Sequence, residues 1–332
     1  MKRLFLKTLV AAVALAGFGL AQAQTRTIKF ANQNAKGHPL VNGMEKFAEL
    51  VDKKSGGKLK VNVFPGGALG SDQANVSSLQ GGTLEMASMN SGIFASQVKD
   101  FAIYDFPFLF GNAKEADAVV DGPFGQMMHK KLEEKGLVGL GYYELGFRHL
   151  TNSKRPVTKV EDIAGLKLRV IPNPINVDWV TALGANPTPL PFPELYAALE
   201  QGAVDGQENP VATIIGAKLN EVQKYMTLTY HQYNPQSIVV SKKFWDTLSP
   251  ADRTILQDAA RESISYERTQ SRAALQAGLE SLKKGGMQIT ELAPAEVAKL
   301  REKMKPVIAK HSATAGEATV KAMMAELEKA RK

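Results

Sequence analysis

Residues 27–89 open on Thr27-Ile28-Lys29-Phe30-Ala31. They pass through Leu59-Lys60-Val61-Asn62-Val63 and close on Leu84-Glu85-Met86-Ala87-Ser88-Met89. Ile28 and Phe30 share one face of the first segment, and Leu59, Val61 and Val63 share one face of the second, which is the period of a strand. Between them Leu40, Met44, Phe47, Ala48 and Val51 recur at helical spacing after Pro39, and Ser55-Gly56-Gly57 ends that run. Pro65-Gly66-Gly67 breaks the second strand, Asp72–Gln80 reads as a helix, and Gly81-Gly82 stops it. The order is β-α-β-α-β, which predicts a parallel sheet with right-handed crossovers.

Working outward, Asp100–Phe110 is rich in aromatics (Phe101, Tyr104, Phe106, Phe108, Phe110) and reads as core around Pro107. Ala113–Glu134 reads as helix and Leu137–Tyr143 as strand. The theme then repeats: strand at Leu166–Val170, helix at Asn176–Leu183, extended chain at Pro187–Pro191, helix at Pro193–Leu199 and a short strand at Ala203–Asp205. Ser237–Val240 is apolar and β-branched. From Pro250 onward the pattern is almost wholly helical, and Leu256–Lys283 is long enough, at 1.5 Å per residue, to cross two domains. The fold class expected is therefore α/β with two lobes around a cleft. Each lobe is a mixed, mainly parallel sheet flanked by helices, with a long domain-spanning helix near the C-terminus. The predicted division is 24–145 plus 235–274 for lobe I and 146–234 plus 275–332 for lobe II, with hinges near Glu144–Gly146 and Tyr233–Gln236.

The 332-residue chain carries a formal charge of +8 and no cysteine, which excludes disulfides and thiolate chemistry. Residues 1–23 read as a secretory signal peptide. Lys2, Arg3 and Lys7 precede the apolar run Thr8–Leu20, and Ala21-Gln22-Ala23 offers a cleavage site. Its removal would take three of the positive charges and leave +5, in a protein expected in the periplasm. The basic residues are interspersed with acidic ones, as in Lys130-Lys131-Leu132-Glu133-Glu134-Lys135, so no nucleic-acid surface is expected. His38, His129, His149, His231 and His311 lack metal-site spacing, and no nucleophile elbow, P-loop or GxGxxG is present. No metal and no cofactor are expected.

In open α/β sheets ligands bind beyond the carboxyl ends of strands. The polar residues there are Gln33 and Asn34, Asn90 and Ser91, Arg148, Asn173 and Asn209, while Arg169 lies inside Leu166–Ile171. A guanidinium at the end of an apolar strand must satisfy five N–H donors. A ligand carboxylate would do so in two-pronged fashion, and a structural acid would serve equally well. Arg148 could equally be a surface charge, and Asn209, before Pro210, a turn former.

Leu145-Gly146-Phe147-Arg148 with Thr151-Asn152-Ser153, Gly165-Leu166-Lys167-Leu168-Arg169-Val170, Leu183-Gly184-Ala185-Asn186-Pro187 and Asp205-Gly206-Gln207-Glu208-Asn209-Pro210 together resemble the DctP-type solute receptors of tripartite ATP-independent periplasmic (TRAP) transporters. The resemblance covers essentially the whole chain after the leader. It implies a receptor without catalysis that captures an organic acid and hands it to TRAP membrane permease subunits, as a monomer. It places Arg169 as the principal carboxylate ligand, Arg148 as a second cationic contact and Asn209 as an amide on the same carboxylate. It also places Phe192 as an aromatic against the ligand, and Asn173 as a further contact. In the first lobe it points to Gln33, Asp72 and Asn90. Amides there, and Ile93 where the sialic-acid branch has a basic residue, suit a polyhydroxylated sugar acid such as a hexuronate. A C4-dicarboxylate would want another cation, for which Lys36 or His38 are the candidates. A periplasmic sugar-acid enzyme and a receptor serving a sensor protein are the other readings.

Overall fold

The computed structural model describes residues 25–332, so the predicted signal peptide lies outside the described residues. The chain begins with β1 (Arg26–Ala31), α1 (Pro39–Ser55), β2 (Leu59–Phe64), α2 (Asp72–Gly81) and β3 (Met86–Asn90). Two 3-10 segments, Ser91–Ser96 and Lys99–Asp105, lead to α3 (Ala113–Asp121), α4 (Pro123–Glu133) and β4 (Leu137–Phe147). Next come β5 (His149–Asn152), β6 (Lys167–Val170), α5 (Pro174–Ala182), β7 (Asn186–Pro189), α6 (Leu195–Glu200), β8 (Gly206–Asn209), α7 (Val211–Gly216) and β9 (Tyr225–Leu228). The chain closes with β10 (Tyr233–Ser241), α8 (Lys242–Trp245), α9 (Pro250–Lys284), β11 (Gln288–Glu291), α10 (Pro294–Ala315) and α11 (Glu317–Ala330).

Two sheets result, ordered β2-β1-β3-β10-β4 and β11-β9-β5-β8-β6-β7. β1 pairs in parallel with β2 and β3, as the opening pattern predicts. The antiparallel pairings are those of β10 with β3 and β4, and of β5 with β8 and β9. β5 and β10 are the strands that bring the chain into a sheet from the other one, so their reversed direction follows from the crossing. The chain leaves the first sheet at Phe147, enters the second at His149, and returns through Leu228–Tyr233. The two crossings are tied together where the Arg148 backbone N–H donates to the Gln232 carbonyl at 2.9 Å. Gly146, at φ 102, makes the first crossing in a conformation that side chains other than glycine's rarely adopt. α9 is the third connection, packing on α1 and β4 at one end and on α7 at the other.

Local chemistry accounts for the elements. α1 starts at Pro39 with His38 as N-cap, its Nδ1 accepting from the Leu40 N–H, and ends at Gly56 in the left-handed region. Of its predicted apolar stripe, Leu40, Met44, Phe47 and Val51 are fully buried and Ala48 is partly buried. The aromatic stretch is core as read: Phe101 packs on Phe94 with centroids 5.6 Å apart, and the Tyr104 hydroxyl donates to that of Tyr142 at 3.1 Å. The single helix predicted over 113–134 is two helices, because Pro123 lacks the N–H that would continue it and Gly122 turns the chain into extended geometry. The strand read at Ala203–Asp205 is instead β8, three residues on, and β11 interrupts what reads as continuous helix. α11 packs on α3 and α4, so the end of the chain clasps the elements flanking the first sheet.

Candidate functional site

The carboxyl ends of β1, β3, β6 and β8 converge on a narrow cavity of about 20 Å³ between the sheets. Gln33, Asp72, Asn90 and Ile93 line it from the first sheet; Arg169, Phe192 and Asn209 line it from the second; Arg148 and Leu145 line it at the crossing. Of the other residues singled out by sequence, Asn34 also lines it, whereas Ser91, Asn173, Lys36 and His38 do not. Thr213 and Gln236 also line the cavity and were not singled out. Gln236 is adjacent to Asn90 in the β10–β3 ladder, a register that no local pattern reveals.

Arg169 stands on β6 between the buried side chains of Leu168 and Val170, and is itself 2 % exposed. Its Nε donates to the Leu190 carbonyl at 2.8 Å. Its two terminal amino groups have no hydrogen-bond partner among the described residues, so the fork that binds a carboxylate bidentately is free. The Phe192 ring lies with its centroid 5.8 Å from the guanidinium carbon. Burial, with the like charge of Arg148, lowers the Arg169 pKa to about 10, against the pull of Glu208 and Asp72, so the group remains cationic at neutral pH.

Arg148 is not the surface charge that one reading allowed, nor a free cation. It is completely buried, with Nη2 2.9 Å from Glu208 Oε1, Nε also on Glu208, and Nη1 2.9 Å from Asn234 Oδ1. Burial alone would raise the Glu208 pKa. The charge of Arg148 and the hydrogen bond from His231 override it and hold the carboxyl at about 2. The pair continues into a buried network: Asn234 Nδ2 donates to Asp105 Oδ1 at 3.1 Å, and Asn173 and Asn176 donate to Asp105 Oδ2 at 2.8 and 3.0 Å. Asn173 therefore holds Asp105 rather than facing the cavity, and it also donates to the Gly92 carbonyl. Gly92 has to be glycine, since a Cβ there would run into the Asp105 carboxyl.

The opposite wall is polar and partly unsatisfied. Asp72 is buried at the first turn of α2, with Oδ2 accepting from Gln33 Nε2 at 3.0 Å and Oδ1 unpartnered. Its burial raises its pKa to about 7, despite the Asn90 backbone and Arg169. Asn90 Oδ1 accepts from the Gly92 N–H, leaving its buried Nδ2 unpartnered. Asn209 Nδ2 donates to Gln207 Oε1. One wall thus offers an anion-binding fork and the other offers acceptors and a donor suited to hydroxyls. His38 and Lys36 line a separate cavity, and His38 Nε2 is 3.2 Å from Thr213 Oγ1, so neither stands as a further cation in the cleft.

Residues 30–314 match the family described as bacterial extracellular solute-binding protein, family 7 (DctP). The chain belongs to that family. As a family-7 protein it is a TRAP-type solute-binding receptor for small carboxylates, and not an enzyme. Its fold superposes with TM-score 0.91 on a sugar-acid-binding protein from Advenella mimigardefordensis solved in complex with galactonate, at 40 % identity over 93 % of this chain and 100 % of that one. A TRAP periplasmic solute-binding protein from Ochrobactrum anthropi matches at 55 % identity and TM-score 0.83, over 93 % and 97 % of the two chains. The 2,3-diketo-L-gulonate-binding periplasmic protein of Escherichia coli is 34 % identical over 83 % of this chain and 84 % of its own.

Proposed function

We propose that this family-7 receptor captures a sugar acid, an aldonate or hexuronate, in the periplasm after export on the 1–23 leader, and delivers it to the TRAP permease subunits. The observation that carries the reading is the unpaired fork of Arg169, a buried cation with a neutral aromatic beside it and no acid bonded to it. Arg169 grips the carboxylate, with Asn209 and the remaining N–H of Arg148 beside it. Gln33, Asp72 and Asn90 take the hydroxyls, and Phe192 lies along the carbon chain. Galactonate in the Advenella relative supports the same class here.

A C4-dicarboxylate fits less well, because its second carboxylate would meet Asp72 and amides rather than a cation. The cavity, at about 20 Å³, has room for about one water molecule, and a hexuronate is many times larger. Entry therefore requires the two lobes to part, hinging at the crossings near Glu144–Gly146 and Tyr233–Gln236. Calorimetric titration with galactonate, galacturonate and succinate tests the reading. The two sugar acids are expected to bind more tightly than succinate, and a preference for succinate would reverse the assignment. Binding of the sugar acids is also expected to make the solution scattering profile more compact.

A further inference from the structure

A second cavity, of about 650 Å³, lies on the other side of Leu145, between the strand crossing and α9. That volume is within the range of small-molecule sites, about 300–1,000 Å³. Its walls come from both halves of the molecule: Pro39 and Asn42 of α1, Val211 and Ile215 of α7, Phe147 at the crossing, and Leu275 on α9. Glu144 faces it already paired, with Oε2 2.6 Å from Arg272 Nη2, and Lys36 sits at the exposed rim. The interior is therefore mostly apolar and carries no unpaired acid.

One polar group in that wall is unaccounted for. His149 is 1 % exposed, and neither ring nitrogen has a hydrogen-bond partner. A buried polar group without a partner is destabilising, so its persistence asks for a partner from outside the chain. The imidazole is covered by Tyr230, whose ring stands edge-on to it with centroids 4.4 Å apart and 6.0 Å from that of Phe147. Tyr230 is 44 % exposed and has φ 44, a conformation that bulky residues adopt at a cost. Leu275, also lining the cavity, is 41 % exposed. Two of the few large apolar side chains left in water thus stand at this one mouth.

We propose that this cavity is a second binding site, for a small uncharged aromatic molecule with one N–H or O–H group that pairs with His149 as the Tyr230 ring swings aside. We infer further, resting on the acid-receptor reading above, that its occupancy favours the arrangement in which the acid cleft is assembled. Leu145 lines both cavities, and the His38–Thr213 hydrogen bond joins the first-sheet loop to α7 between them. A molecule touching α1, α7 and α9 together binds best in one relative placement of the lobes, and linkage makes the coupling reciprocal.

Indole is the probe, titrated calorimetrically into the full mature chain. Saturable one-site binding is expected, about tenfold weaker in Ala277→Phe, which fills the cavity from the exposed face of α9, and several-fold weaker in His149→Phe. His149→Phe removes an unpaired buried group, so it is expected to fold with undiminished thermal stability. Absence of saturable binding, or unchanged affinity in both variants, overturns the site. With indole saturating, galactonate is expected to bind about threefold more tightly. Unchanged galactonate affinity overturns the coupling. Failure of galactonate to bind at all would strike the sugar-acid reading alone, because the indole titration decides the second site without it.

Discussion

Arg148 and Glu208 face one another, both completely enclosed, at the point where the chain crosses between its two sheets, with Nη2 2.9 Å from Oε1. Arg148 is the residue between β4 and β5, and Glu208 is on β8, which pairs with β5. The ion pair therefore ties the crossing residue to β8 of the second sheet. Glu208 is thereby held by Arg148, while Arg169, also enclosed, bonds only the Leu190 carbonyl and no acid.

Glu208→Gln is expected to act on stability. Removing one partner of a buried pair strands the other, at a cost of about 3–5 kcal/mol, which a urea denaturation series would read as a lower midpoint. The wild-type contribution also has a pH signature. The folded carboxyl is held at about 2, below the ordinary 4.5. Its stabilisation is present above pH 4.5 and is lost as pH falls through 2. The variant should lack that acid-side loss. An unchanged midpoint at neutral pH would contradict the role.

Arg169→Ala is expected to leave the fold standing and remove binding. Its side chain holds a single backbone carbonyl, whereas a ligand carboxylate would engage its whole fork. Loss of the buried pair with ligand corresponds to about 3–5 kcal/mol, roughly two to three and a half decades in Kd. Arg169→Lys keeps the charge and loses the two-pronged geometry, so it should fall between. Calorimetry with galactonate decides, and a loss below about threefold would assign Arg169 to structure alone.

The outline of the fold was legible because its first half is written in periodic apolar patterns. Ile28, Phe30, Leu59 and Val61 are buried where alternation puts them, and α1 begins and ends at Pro39 and Gly56. β8 was misplaced because Gly206-Gln207-Glu208-Asn209 has no apolar residue, though every one of its residues is buried. Its burial is satisfied by polar partners, Arg148, Thr151 and His231, brought from distant strands. The same long-range pairing hides the difference between the arginines. Arg148 follows Leu145-Gly146-Phe147 and Arg169 lies inside Leu166–Ile171, and only the tertiary contacts show that Arg148 meets Glu208 while Arg169 does not. Position after a strand picked out Gln33, Asn90 and Asn209, which the fold brings to one cavity. Asn173 was drawn to Asp105 by a tertiary contact that strand position cannot encode.

Asn173→Ala should accordingly lower stability more than affinity. It deletes hydrogen bonds to the Asp105 carboxylate and the Gly92 carbonyl, leaving buried acceptors short of donors at about 1–3 kcal/mol. A double-mutant cycle with Asp105→Asn should show the two changes to be non-additive, since they share one contact. Additive effects on the denaturation midpoint, or a larger effect on galactonate affinity than on that midpoint, would return Asn173 to the cleft.

Asp72 should make the cleft sensitive to pH near neutrality. Its folded pKa is raised from 3.8 to about 7 by burial, so between those values the folded state holds a proton that the unfolded chain has released. Stability from this group is present in full below 3.8 and diminishes as pH rises towards 7. Asp72→Asn, which mimics the protonated acid, should flatten that slope and unfold at a higher denaturant concentration than the parent at pH 8. The neutral form also presents a donor towards the ligand, and the ionised form adds a negative charge close to an incoming carboxylate. Affinity for galactonate should therefore weaken as pH rises through 7 in the parent and stay level in the variant, as read by calorimetry at pH 6 and 8. A parent affinity that strengthens over that interval would mean the ionised carboxylate is the form that holds the hydroxyls.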